Sequence, residues 1–151
     1  MTVAAVVERD GRFLMIEEET PDGLRINQPA GHLDPGESLQ QAAAREAIEE
    51  SAHPFRPTAL LGVYVARSAS RGDADGVTYV RFAFTGELGA AEPGRPLDHG
   101  ILRVLWLTPA EIRARAALHR SPLVQACVDD YLGGRRFPLD LVHTHASALA
   151  R

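Results

Sequence analysis

Apolar and polar positions in the first thirty residues follow the short period of strands. Val3–Glu8 and Arg12–Glu18 are apolar or β-branched runs separated by Asp10-Gly11. Asp-Gly between two such runs predicts a hairpin, because its tight turn needs residues that tolerate positive φ. Thr20-Pro21-Asp22-Gly23 predicts a second turn, and Leu24–Asn27 a short strand feeding Gln28-Pro29-Ala30-Gly31. Ser38 is suited to cap a helix that runs to about Ser51, where His53-Pro54 stops it. On that helix Leu39 and Ala43 lie near the angular position of Glu46 and Glu50 and are expected to pack on a sheet, while Ile48 points the opposite way.

Ala59–Ala66 and Val77–Glu87 read as strands with a polar loop over residues 68–76 between them. Pro93, Gly94 and Pro96 make Ala90–Gly100 irregular, and Leu102–Leu107 is the last strand. Thr108-Pro109-Ala110-Glu111 is a capping box with proline in the first helical turn. Ser121-Pro122 opens a further helix that ends at Gly133-Gly134. A hairpin, a helix, more strands and two helices predict a sheet core with helices packed on it, in the α/β or α+β class. The pattern extends over residues 1–142 as one domain, and 143–151 reads as a tail.

Composition narrows the function classes. A hydrophobic share of 45% with 24% charged residues is that of an ordinary soluble globular protein. A net charge of −4 gives no general attraction to nucleic acid or anionic membranes. Cys127 is the only cysteine, so no internal disulfide can form, and its apolar neighbours predict a core thiol. The start, MTVAAVVERD, lacks the basic region of a signal peptide, and no stretch is long enough to span a bilayer. A cytoplasmic location is expected.

The candidate chemistry lies in the stretch GHLDPGESLQQAAAREAIEESAH, residues 31–53. Glu46, Glu49 and Glu50 fall at i, i+3 and i+4, on one face of the predicted helix. Clustered carboxylates repel unless something neutralises them, and an all-oxygen set suits a hard divalent ion such as Mg2+ or Mn2+. Glutamate-rich faces are usually only solvated. The register of Gly31, Glu37 and Arg45 with these acids argues otherwise.

That register resembles the Nudix box, G-x5-E-x7-R-E-U-x-E-E-x-G-U with U apolar. Gly31, Glu37, Arg45, Glu46, Glu49 and Glu50 match it, with Ala47 at the first U. Ala52 and His53 depart from it, standing where the box has Gly and an apolar residue. A helix commonly ends on a left-handed residue, which glycine tolerates best, so Ala52 puts the helix ending in question. The resemblance implies an α/β/α sandwich around a mixed sheet and a metal-dependent phosphohydrolase. It implies Glu46, Glu49 and Glu50 with the Gly31 carbonyl as metal site, Arg45 as the residue orienting the acids, and Glu37 as support for the loop or for a water beside the metal. Glu46 and Glu50 are the two candidates for general base, with Asp98 or Glu87 as an acid from outside the box. Arg81, inside the apolar strand Tyr79–Phe84, either covers an edge with its stem or binds a substrate phosphate in the cleft. His32, in the box loop, either faces the substrate or only shapes the loop.

Asn27–Leu33, Arg120–Val124, Arg136–Asp140 and the AAARE run at 42–46 further resemble a group of small bacterial phosphatases within the family, over about Thr2 to Val142. This implies nucleoside tri- and diphosphates, thiamine pyrophosphate and hydroxymethylpyrimidine pyrophosphate as substrates, orthophosphate as product, and a monomer. Two alternatives are a pyrophosphatase acting on ADP-ribose or dinucleotides, and a ligand sensor without activity. Sensors of this type typically lose box carboxylates, which are all present here.

Overall fold

The computed structural model describes residues 1–68 and 76–150. The first apolar run does not form one strand. It divides into β1 (Thr2–Ala5) and β2 (Glu8–Arg9), and the second run forms β3 (Arg12–Thr20). β2 and β3 make the predicted hairpin, with Arg9 opposite Arg12 and both Asp10 and Gly11 at positive φ. β4 (Gly23–Asn27) pairs with β3 across the second predicted turn. β5 (Ala30–His32) leads to helix α1 (Leu39–Ser51). The strands β6 (Phe55–Ser68), β7 (Val77–Leu88) and β8 (Ile101–Leu107) follow, then the helices α2 (Pro109–Ala114) and α3 (Leu123–Leu132). A short helix, α4 (Ala146–Leu149), lies within the expected tail. The polar loop expected over 68–76, with Arg71, falls mostly outside the described residues.

Hydrogen bonding divides the strands into two four-stranded sheets rather than one. The first has the order β5-β1-β7-β6 and is mixed, with β1 parallel to β7 and the other pairs antiparallel. The second is antiparallel, with β8 on one edge of β3 and β2 and β4 on the other. The break at Val6-Val7 lets one apolar run serve both sheets. Val6 N–H bonds Phe84 O in the first, and Leu14 N–H in the second bonds Val7 O. β6 begins earlier than its apolar pattern, at Phe55, and tolerates Pro57 because it is an edge strand with a register shift there.

Both faces of this strand layer are buried. On one face Val3, Ala5, Val7, Leu14, Leu60 and Phe84 pack with Leu39, Ala42, Ala43 and Ala47 of α1. On the other, Ala4, Val6, Phe13, Met15, Leu61 and Ala83 pack with Ile112 of α2 and Val124, Cys127 and Val128 of α3. The result is the expected α/β/α sandwich, with Cys127 a core thiol whose burial raises its pKa. Among the described residues no helix is long and apolar enough to cross a membrane.

α1 starts on a full capping box: Ser38 accepts from Gln41 N–H and the Gln41 side chain accepts from Ser38 N–H. It ends on Ala52, left-handed at φ 61° without glycine's freedom. Ala52 N–H closes on Ile48 O, and Ala52 O accepts from Glu92 N–H in the irregular loop. His53 is buried, its Nδ1 2.7 Å from Ser51 O and its ring edge-on to Trp106, which is how a polar ring occupies an apolar position. α2 has the predicted Thr108/Glu111 box with Pro109 in its first turn.

Candidate active site

α1 and the loop before it converge on one arginine. Arg45 donates from Nε and one terminal nitrogen to both oxygens of Glu37, at 3.0 and 2.8 Å. The same terminal nitrogen reaches His32 O at 2.8 Å. Its other terminal nitrogen donates to Glu46 at 2.9 Å and to Glu49 at 3.1 Å. Asp34 lies 3.4 Å from Nε. Glu37 also accepts from Asp34 N–H, which closes the loop on itself. The guanidinium fork is what lets one side chain hold several acids at fixed angles. The Glu37 hydrogen bond raises the Arg45 pKa most, so its charge is permanent.

Glu46, Glu49 and Asp98 bring one carboxylate oxygen each to within 4.8 Å of one another. Asp98 comes from the irregular loop, anchored there because its N–H bonds Glu49 O at 2.9 Å. Glu87, the other outside candidate, is exposed and paired with Arg56 at 2.6 Å, apart from this group. Gly31 backs directly onto Glu46, and a Cβ there would collide with the Glu46 carboxylate. Glu50 turns toward β5 and accepts from Ala30 N–H at 3.3 Å. Its pKa is pushed up to about 9, mainly by burial and next by the Glu46 charge, against the Ala30 hydrogen bond. Burial also raises Glu46, against Arg45. Crowded, part-buried, oxygen-only donors, with a glycine whose missing side chain makes room for one of them, fit a hard divalent cation.

Beside the cluster opens a cavity of about 350 Å3, lined among others by Gly31, His32, Tyr79 and Arg81. Arg81 is 3% exposed. Its terminal nitrogens donate to Gln28 Oε1 and Asn27 Oδ1, both at 2.9 Å, and one of them lies 3.9 Å from Cys127 Sγ. No carboxylate among the described residues pairs with it. Glu18, Asn27 and Arg120 line the same cavity; the sequence marks Asn27 and Arg120 only as parts of segments that carry the family resemblance, and Glu18 only as part of a strand. Alternation along β3 does carry a signal for Glu18, since it puts that residue on the face of buried Ile16.

The NUDIX domain family matches residues 1–127. This chain belongs to the Nudix family. It is 36% identical over 142 residues to the phosphatase NudJ of Escherichia coli K12, covering 94% of this chain and 89% of that protein. The NudJ of Shigella sonnei matches to the same extent. A Nudix hydrolase structure from Nitrosomonas europaea superposes with a TM-score of 0.89 at 46% identity, over 95% of each chain. A MutT Nudix hydrolase from Burkholderia pseudomallei, at 19% identity and a TM-score of 0.67 over 85% of this chain and 95% of its own, shares the fold. The protein is accordingly a phosphohydrolase of the Nudix type. Such enzymes generally use divalent metals, and the acid cluster is fit to hold one.

Proposed function

We propose that the protein is an Mg2+-dependent phosphohydrolase, with Mn2+ as a substitute ion, that releases orthophosphate from small pyrophosphates. Its substrates would be nucleoside tri- and diphosphates, thiamine pyrophosphate and hydroxymethylpyrimidine pyrophosphate. The reading rests on the likeness to NudJ together with one observation: carboxylates held by a single arginine, with Glu46 packed on Gly31, which itself lines a cavity of substrate size. We read residues 1–142 as one catalytic domain, acting as a cytoplasmic monomer.

Glu46, Glu49, Glu50 and the Gly31 carbonyl would hold the ion, with Asp98 joining them from the loop. A bound divalent ion neutralises phosphate charge and makes a coordinated water acidic. Arg45 and Glu37 hold the acids in position before substrate arrives, so little reorganisation remains at the moment of reaction. Glu50 carries a proton at neutral pH while the cluster is uncompensated, and nearby positive charge releases that proton. Once ionised in its part-buried setting it is a strong proton acceptor, and Glu46 is the second candidate for this role. Arg81 contributes an unpaired positive charge to the cavity wall and is the candidate substrate-binding residue.

Product analysis tests this reading. With Mg2+, orthophosphate is expected from ATP, ADP, thiamine pyrophosphate and hydroxymethylpyrimidine pyrophosphate. AMP from ADP-ribose, with little orthophosphate from the other four, would replace it with the dinucleotide-pyrophosphatase reading. No turnover with any divalent ion would favour the sensor.

A further inference from the structure

The cavity beside the acid cluster has an unusual polar lining. Asn27 is 7% exposed, and Arg81 takes its Oδ1, which fixes the amide with Nδ2 as its free end. Among the described residues that Nδ2 has no hydrogen-bond partner. Glu18 presents a carboxylate whose side chain is 21% exposed and whose nearest cation, Arg120 Nε, is 3.7 Å away, beyond hydrogen-bonding distance. Both residues line the cavity. Ile16 pairs with Asn27 and Glu18 with Arg25, so Glu18 and Asn27 are diagonal neighbours on one face of the β3–β4 ladder.

Arg81 and Arg120 give the cavity positive charge for a phosphate, but next to Glu18 itself a phosphate would meet a carboxylate, and like charges in a part-buried site repel. An amide donor beside a carboxylate acceptor instead complements an organic group that offers an acceptor next to a donor. Asn27 Nδ2 is not sealed from solvent, so it and the Glu18 carboxylate are both reachable from the cavity. Tyr79, Val77 and Ala30 supply apolar surface beside them.

We propose that Glu18 and Asn27 are specificity-determining residues, which select substrates whose organic group is a heteroaromatic ring bearing an amine. The amine donates to Glu18 and an adjacent ring nitrogen accepts from Asn27 Nδ2. The inference rests on the hydrolase reading for its choice of substrates, but ring binding can be measured without turnover.

The test compares ATP with purine riboside triphosphate, which keeps the ring and phosphates and lacks the amine. The native protein is expected to favour ATP in kcat/KM by about ten- to a hundredfold, the range for a hydrogen bond to a charged acceptor. Glu18→Ala should bring that ratio to within about twofold of one. A native ratio near one overturns the proposal, and a ratio that persists in a folded Glu18→Ala protein removes Glu18 from it. Should that variant not fold, Glu18→Gln keeps the shape and loses the charge, and the ratio should fall several-fold. Calorimetry in EDTA with AMP and purine riboside monophosphate separates this inference from the hydrolase reading. Tighter AMP binding supports the ring site even if no substrate turns over, and equal affinities overturn it.

Discussion

Two arginines stand at this site in opposite settings. Arg45 is part-exposed and bonded to three carboxylates, with a fourth at 3.4 Å. Arg81 is buried and bonded to two neutral amides. Four acids around one guanidinium leave net negative charge, so the Arg45 side of the cleft calls for a further cation. On the Arg81 side the cavity wall holds two guanidiniums, Arg81 and Arg120, against the single Glu18 carboxylate, so that end keeps net positive charge and attracts electron-rich groups. The same side chain thus takes part in opposite potentials at the two ends of one cleft, according to the charges around it.

The largest effect should come from the negative end. Glu50→Gln keeps the shape of the acid and removes its ability to accept a proton. Turnover is expected to fall by about 10²–10⁴, the range for a lost general base. Circular dichroism should match the native protein. Near-native turnover in the folded variant would take Glu50 out of that role and leave Glu46.

Replacing each arginine with methionine sharpens the contrast. Arg81→Met strands two buried amide oxygens, each worth about 1–3 kcal/mol, so unfolding free energy should drop by roughly 2–6 kcal/mol. Arg45→Met instead leaves Glu37, Glu46 and Glu49 to repel one another. Mg2+ should restore much of the stability lost by the Arg45 variant and none of that lost by the Arg81 variant. Denaturation curves with and without the ion decide this, and equal rescue would collapse the distinction.

Much of this frame was legible in the sequence, and what was legible is local. The Asp10-Gly11 hairpin and both capping boxes are set by residues within one turn of each other. The acid spacing on α1 is likewise a property of one helix. The break of the first apolar run at Val6-Val7 was not legible, because a strand layer buried on both faces shows no alternation to mark where one sheet hands over to the other. The Arg81 end was half legible. An arginine in an apolar strand stands out, but its partners Asn27 and Gln28 lie more than fifty residues away. Asp98 could be named as a candidate acid, yet only the Glu49 backbone contact brings its loop to the helix.

The pH dependence of stability tests the charge at the negative end with smaller steps. Glu50 has a folded pKa near 9, above its unfolded value, so the folded state binds the extra proton between about pH 5 and 9. Its stabilising share is complete below the unfolded pKa and is lost as pH rises through the folded one. In EDTA, stability should therefore fall as pH rises across that window, by up to about 1.4 kcal/mol per pH unit for one proton. Burial of Glu46 and Glu18 acts in the same direction. Glu50→Gln should flatten the slope, and an unchanged slope would mean that another group carries it.

The smallest test bears on how the Arg45 end is held in place. Ala52 ends α1 at φ 61°, a conformation that costs an alanine roughly 1 kcal/mol relative to glycine. It is also 7% exposed, so Ala52→Gly gives up a little buried methyl surface. The net gain should be about 0.5 kcal/mol, visible as a rise in melting temperature of a degree or two. Activity is the sharper readout. Ala52 O anchors Glu92, in the loop that carries Asp98, while Arg45 holds Glu46 and Glu49 independently of that loop. If Arg45 alone sets the acid geometry, kcat should stay within about twofold of native. A larger loss, with stability raised, would mean that the stiffness of the alanine at the helix end keeps Asp98 in register, and that the negative end depends on its loop as well as on its arginine.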